Sequence, residues 1–496
     1  MAHDRDSSRR SPHRCLHDKG PGPRFLQTVV LACRKTSGRG QTIGYGKVSG
    51  SPRIRPGNRP HGKNWLKMSL GLMILIFVVL LLAGMPVAFV MGFSASLYLL
   101  FSPQVTFLDM APQKLFAGMD SFVLMCIPFF ILAGEIMTRG KIADRIVDFC
   151  NLIVGRWRGG LAHVNVLASM LFAGITGVAL GDIAALGSIF IPAMKKQGYD
   201  GPFSAAVTAA SSIIGPIIPP SMIIVIYGAV TGVSVGALFA GAIVPGILMG
   251  LSQMAIVAYL ARRRQYPKTL IPITPKKLIL GTRDALVPLM MPAIILFGIL
   301  VGIFTPTEAA GAAVLYSFIV ASLFYRTLKL RDYIPIFRTA FMFSVKLLLI
   351  VGCGAILAWV FGIENVPEKI KGLFYSISEN KIVLLLLINL FLIFLGMWLD
   401  CSASIILFAP MLTPLATEIG LHPVHFGIIM IVNLNIGLLT PPLAVCLFAA
   451  ADISRDPFIR VVVAVLPFLI ACFFTLALIT YVPEFILTLP RLLNLL

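Results

Sequence analysis

The chain has 496 residues, of which 58% are hydrophobic and 12% charged, with a mean hydropathy of +0.91; a soluble domain carries about 25% charged residues. That balance excludes a soluble enzyme or binding module and implies an integral membrane protein, long enough for about a dozen embedded segments of about 20 residues. The formal charge of +20 is uneven: residues 1–67 hold 15 Lys/Arg against Asp4, Asp6 and Asp18, which accounts for +12 of it.

Residues 1–67 are rich in Arg, Gly, Pro and Ser and lack the apolar run of a signal peptide. They read as a disordered basic extension or as a product of start-site choice, because MSLGLMILIFVVLLLAGMPVAF from Met68 already begins like a membrane protein. No nucleic-acid partner is implied by a basic run without a fold. The eight cysteines are scattered, with no CxxC and no histidine at ligand spacing, so neither a disulfide framework nor a zinc site is expected.

Apolar runs predict spans near 69–101, 121–138, 236–261, 284–303, 306–325, 337–361 and 459–487. Two regions between them, 160–232 and 381–451, are apolar but broken. If each holds a re-entrant hairpin and one interrupted crossing, then 139–158, 195–201, 262–283, 326–338 and 452–460 share a face and carry 20 Lys/Arg. The other face has five: Lys114, Lys369, Lys371, Lys381 and Arg491. The positive-inside rule makes the first face cytoplasmic, along with the N-terminus, and leaves the C-terminus outside. Counting each hairpin as two crossings gives the same parity. The amphipathic stretches 141–155 and 364–378 suit helices lying in the interface.

The broken regions repeat each other. Asp182 and Asp400 each precede a proline by ten residues (Pro192, Pro410), and Gly198 and Gly420 each precede a double proline by 21 (Pro219 and Pro220, Pro441 and Pro442). Five crossings separate the copies, so their topology is inverted, the arrangement that marks the midplane site of secondary transporters. A proline in a helix interior costs about 3 kcal/mol or more. Helices stopped at Gly215, before Pro216, or at Gly437 leave carbonyls able to coordinate a dehydrated Na⁺, and helices restarted after Pro220 or Pro442 leave N–H groups that attract a carboxylate. The oxygens expected around Na⁺ come from Ser212, Gly215, Asn433 and Gly437. Ser211 and Ser221 beside the first break, and Asn435 and Thr440 beside the second, add hard oxygens or tie helices together. Asp182 and Asp400, with Gly177 and Ser402 near the same hairpin tips, neutralise the ion or cap the returning helix.

The blocks GMPVAFVMG (84–92), IPFFILAGEIM (127–137), RGGLAHVNVLASMLFAGITG (158–177), ALGSIFIPAMKKQGYD (185–200), TAASSIIGPIIPPSMIIVIYGA (208–229), GIFTPTEAAG (302–311) and HFGIIMIVNLNIGLLTPP (425–442) occur in one order. Over residues 68–490 the chain resembles the large permease subunit (DctM-like) of tripartite ATP-independent periplasmic (TRAP) transporters. The resemblance implies an all-α membrane fold with two re-entrant hairpins and two discontinuous helices. It also implies elevator-like movement, Na⁺ as the coupling ion with no organic cofactor, and location in the cell inner membrane. A periplasmic binding protein would deliver a small organic acid anion such as a C4-dicarboxylate. A small four-helix permease subunit would be a separate polypeptide, since residues 1–67 contain no four-span unit. The tip GITGVALGD at 174–182 departs from the serine-rich tip of the family, so Thr176 and Asp182 are expected to supply oxygens there. Lys346, inside the span 337–361, either snorkels or meets an anionic partner.

Competing functions leave weaker traces. An intramembrane aspartyl protease needs GxGD downstream of YD; ALGD at 179–182 lacks the first glycine and precedes Tyr199-Asp200. HExxH and DDxxD are absent, so an enzyme is not expected. A stand-alone Na⁺-coupled anion symporter of the wider fold is the alternative transporter reading. His163 reads as a packed histidine, and Arg139, Arg156 and Arg158 as topology anchors.

Overall fold

The computed structural model describes residues 70–102, 105–140, 142–268 and 275–496; the basic extension at 1–67 lies outside them. The described chain is helical apart from one isolated bridge, Arg158 to Lys268. Among the described residues eight helices are long and apolar enough to cross a membrane.

The first predicted span is a correction. The run 69–101 folds as two helices, α1 (Leu70–Leu82) and α2 (Val87–Leu100). Gly84 takes φ +81° after α1 and the Met85 N–H reaches back to Leu80 O, a Schellman turn, and Pro86 follows. Hydropathy does not register such a stop, because every residue around it is apolar. Met73 on α1 is buried in the same cluster as Met91 and Ala95 on α2.

α3 (Ala111–Met119) and α4 (Cys126–Arg139) follow, then α5 (Ile142–Val154), one of the two expected interfacial helices. α6 (Gly160–Thr176) turns at Gly177 into α7, which runs as Ala179–Asp182, a π turn at Ile183–Gly187, and Ser188–Lys196. α8 (Gly201–Ser212) and α9 (Met222–Thr231) are the halves of the first interrupted helix, and α10 (Val235–Arg263) is a full span. α11 (Pro275–Leu300), α12 (Pro306–Ile319) and α13 (Tyr333–Ile363) lead to the second interfacial helix, α14 (Val366–Ile377). The second copy then repeats the order: hairpin arms α15 (Lys381–Trp398) and α16 (Cys401–Glu418), half-helices α17 (Pro423–Gly437) and α18 (Val445–Ser454), and span α19 (Phe458–Tyr481). α20 (Glu484–Leu492) closes the chain.

Polar contacts sort the loops onto two faces. Arg139 donates to Thr339, Arg145 stacks 3.8 Å over Tyr325, Asp200 pairs with Arg264 at 2.8 Å, and Lys195 pairs with Asp456 at 2.8 Å. These are the segments expected to share the basic face. On the opposite face Tyr98 meets Glu364, Lys371 pairs with Glu418 at 2.6 Å, and Thr307 donates to Phe122 O. The first hairpin opens on the basic face and the second on the opposite one, which is the inversion that the crossing count requires.

Candidate functional site

Each hairpin tip meets the break of its own repeat. Gly177 takes φ +61° at the first tip; a Cβ there would lie 3.3 Å from Pro220 O and 3.4 Å from Met222 N, so the tip rests on the restart of α9. In the second copy Gly396 and Gly437 touch backbone to backbone, with an added Cβ on Gly437 only 2.5 Å from the Gly396 carbonyl carbon. The arms of the second hairpin are 18 residues each, long enough to cross. Both arms open on one face, and the tip between them meets the break of α17.

The repeats also interlock. α9 packs on α16 of the other copy, while α18 packs on α7. Tyr227, fully buried on α9, shares a hydrogen bond of 3.0 Å with Thr413 and donates to Pro423 O at 3.1 Å. Cys446 starts α18, so the restart after the second break lies against the returning arm of the first hairpin.

The structure corrects the pairing of the two aspartates. Val178 and Asp400 are the N-caps of the returning arms, each 20 residues before the positive-φ glycines Gly198 and Gly420. In that register Pro192 matches Pro414, not Pro410, and Asp182 matches Ser404. Asp400 is exposed and caps α16 by accepting from Ser402 N at 2.9 Å. Asp182 instead lies inside its helix, at the edge of the π turn, fully buried. Its carboxylate lies flat against Gly215, where a Cβ would come within 2.3 Å of Oδ2. The shared ten-residue spacing to a proline arises because α16 has a second proline.

The serines and asparagines divide by direction. Ser169 on α6 donates to Ser211 at 2.9 Å, and Asn433 donates to Asn389 on α15 at 2.7 Å. Ser211 and Asn433 occupy the same register position, so in both copies the first half-helix is tied to the hairpin's first arm one turn before the break. Asn165 and Thr208 add a second tie in the first copy at 2.7 Å. Ser212 donates to Thr208 O and Thr440 to Ile436 O, each satisfied by the carbonyl four residues before it. Ser221 caps α9, its Oγ accepting from Ile224 N at 3.4 Å and donating to Pro216 O. The Oδ1 atoms of Asn433 and Asn435 are buried without a hydrogen-bond partner among the described residues.

The backbone at the breaks is irregular where expected, with shifted ends. α8 stops at Ser212, three residues before Gly215, and continues as tight turns with Gly215 N bonded to Ser212 O. The carbonyls of Ile213 and Gly215 accept no backbone N–H among the described residues. α18 restarts at Val445 rather than directly after Pro442, with Ala444 at φ +43° and Cys446 N bonded to Leu438 O. Both Pro219-Pro220 and Pro441-Pro442 are cis. Ser169, Asn389, Tyr227 and Cys446 were not among the residues singled out by sequence. Only Asn389, polar within the apolar run LLLLINLFLIFL, carried a visible signal.

The family model for the tripartite ATP-independent periplasmic transporter DctM component matches residues 74–485. The chain belongs to this family. It is 39% identical over 413 residues to the sialic acid TRAP transporter large permease protein SiaM of Vibrio cholerae, covering 83% of this chain and 96% of that one. It is 37% identical over 402 residues to the C4-dicarboxylate TRAP transporter large permease protein DctM of Pseudomonas aeruginosa, covering 81% and 93%. It is 36% identical over 407 residues to the isethionate TRAP transporter permease protein DctMQ of Oleidesulfovibrio alaskensis, covering 82% and 64%. Among solved structures the YdaH transporter of Alcanivorax borkumensis matches with a TM-score of 0.54 at 14% identity, covering 83% of this chain and 98% of that one, which shows a shared fold. As a TRAP large permease the chain is a multi-pass membrane transport protein and not an enzyme.

Within this TRAP permease the helices fall into two sets. α4 packs on α12 and α13, and α13 on α3, while the hairpins, half-helices, α10 and α19 form the set around the site; α13 on α16 and α4 on α6 join the two. On the face opposite the basic one lies a cavity of about 450 Å³, lined by Ser121, Ile299 and Phe304 and by Gly232, Ser234 and Gly236.

Proposed function

We propose that this chain is the large membrane subunit of a Na⁺-coupled uptake system for a small organic acid anion. It works with a separate small four-helix permease subunit and with a periplasmic binding protein that delivers the substrate. The observation that carries the reading is the fully buried Asp182, which lies against Gly215 at the first break while α18 of the second copy packs on its helix, α7. The carbonyls of Ile213 and Gly215 at the first break, which accept no backbone N–H among the described residues, are hard oxygens suited to Na⁺. The Oδ1 atoms of Asn433 and Asn435 supply equivalent oxygens in the second copy, with Gly437 closing that break against Gly396. Gly177 at the first tip and Ser402 behind Asp400 at the second add backbone and hydroxyl oxygens; the side chain of Thr176, expected to do the same, lies outside the described ones. The N–H groups of Met222 and Ile223 at the start of α9 are the donors for the anionic group of the substrate.

The relatives are named for sialic acid, a C4-dicarboxylate and isethionate, whose shared chemistry is a small polar body with an acidic group ionised at neutral pH. That class is the substrate assigned to this chain, with the binding protein choosing the member. The hairpin-bearing set moves against α3, α4, α12 and α13, and the cavity of about 450 Å³ beside the start of α10 leaves room for such a shift. The face with 20 Lys/Arg is cytoplasmic in the cell inner membrane and the C-terminus is periplasmic; the expected cytoplasmic start does not hold, because α1 folds back on α2 at Gly84 and so begins on the face where Tyr98 meets Glu364.

Proteoliposomes holding the large and small subunits, with the ligand-loaded binding protein outside, test this. Accumulation is expected under an inward Na⁺ gradient and not under an equal K⁺ gradient. No accumulation, or equal accumulation with both ions, contradicts the coupling.

A further inference from the structure

Of the 41 lysines and arginines in the chain, 15 lie in residues 1–67, 20 on the basic face and five on the opposite face; the one left over is Lys346. It sits on α13, about 20 Å from the Tyr333 end and about 26 Å from the Ile363 end at 1.5 Å per residue. Its side chain is exposed, and among the described residues no acidic side chain forms an ion pair with it. A lysine side chain is much shorter than the about 15 Å from mid-bilayer to the edge of the hydrocarbon. Snorkelling therefore does not free it.

The surroundings of α13 change at that level. From Val351 to Phe361 most of its residues are buried beneath neighbouring helices, whereas between Ile334 and Lys346 only Ile336, Ala340 and Ser344 are. Phe341, Met342 and Phe343 are 67%, 50% and 41% exposed. α2 runs parallel to α13, with Gly92 against Cys353 and Tyr98 bonded to Glu364, so its first residue is level with about residue 348. Lys346 and Cys353 are seven residues apart and share a side of the helix. Lys346 thus lies in line with α2 but just beyond its end, where α13 is left exposed and forms a notch beside the start of α2.

We propose that this notch is the docking site of a transmembrane helix of the small permease subunit, and that this helix carries a carboxylate level with Lys346. The inference rests on the partner assigned above. Depth selects the occupant: a lipid phosphate stays at the interface, and a second copy docked by two-fold symmetry would bring a second lysine. An apolar helix fits Met342 and Phe343, which flank Lys346 on its side of α13, and an acid on it neutralises the ammonium inside hydrocarbon.

The test is co-purification from membranes in mild detergent, with the tag on the cognate small subunit. Wild type is expected to be recovered with it, Lys346→Arg likewise, and Lys346→Glu at least tenfold less. Replacing the small subunit's intramembrane Asp or Glu by Lys is expected to restore the Lys346→Glu pair. In parallel, Phe343→Cys on the same flank is expected to be shielded from a membrane-permeant maleimide only when the small subunit is co-expressed, the six described native cysteines being buried. Undiminished recovery of Lys346→Glu, failure of the charge exchange to restore it, or equal labelling of Phe343→Cys with and without the small subunit overturns the proposal. If wild type itself fails to co-purify, the partner assignment falls as well; if wild type binds and the variants behave like it, only the notch does.

Discussion

Asp182 and Asp400 show how one residue type takes two roles on two copies of one unit. Asp400 caps a helix at an exposed tip, so Asn, an equally good cap, is expected to leave stability unchanged there, while Ala costs about 1 kcal/mol. Asp182 is buried against the backbone of Gly215, so the decisive substitution is on the glycine. Gly215→Ala puts a methyl within 2.3 Å of the carboxylate and is expected to reduce Na⁺-dependent uptake more than tenfold. Gly311→Ala is the control: it lies within α12 with nothing within 4 Å, and is expected to keep uptake and gain up to about 1 kcal/mol of stability. Normal uptake in Gly215→Ala would remove Asp182 from the mechanism. The sequence announced an acid near each tip, but not that the two differ in position, because Pro410 imitated the match that Pro414 makes.

At the scale of elements, glycine and proline were the readable signals. The double prolines at 219–220 and 441–442 located both interruptions, and Gly198 and Gly420 both end the returning arms in the left-handed region. Replacing Pro219 and Pro220 by Ala removes two of the three prolines that keep α8 and α9 apart. Uptake assayed in proteoliposomes is then expected to fall below a tenth of wild type, with membrane insertion intact. Uptake at the wild-type rate would mean that the break is not a site. The ends of the half-helices were less legible, since turn geometry after Ser212 and before Val445 depends on what packs against it. The stop between α1 and α2 was missed for the opposite reason: a Schellman turn of apolar residues leaves the hydropathy unbroken. The ties Ser169–Ser211 and Asn389–Asn433 join distant segments, which one sequence cannot pair.

For the whole molecule, the bias of 20 against five Lys/Arg and the odd number of crossings between the copies were enough to infer inversion before any contact was known. The contacts among Arg139, Arg145, Asp200 and Lys195 on one face follow that inference. The family model starts at residue 74, and the helices that build the site start later still. Removal of residues 1–67 is therefore expected to leave uptake near wild type; loss of uptake in the truncated protein would give the extension a role in assembly or transport. The central claim is that the two inverted breaks create one Na⁺ site around Asp182, and thermal unfolding of the purified protein in matched NaCl and KCl tests it most directly. Ligand at 100 times its Kd stabilises by about 2.7 kcal/mol, so wild type is expected to melt at a higher temperature in Na⁺ than in K⁺, and Gly215→Ala at the same temperature in both. Equal melting of the wild type in the two salts, or a Na⁺ shift of full size in Gly215→Ala, would contradict the account.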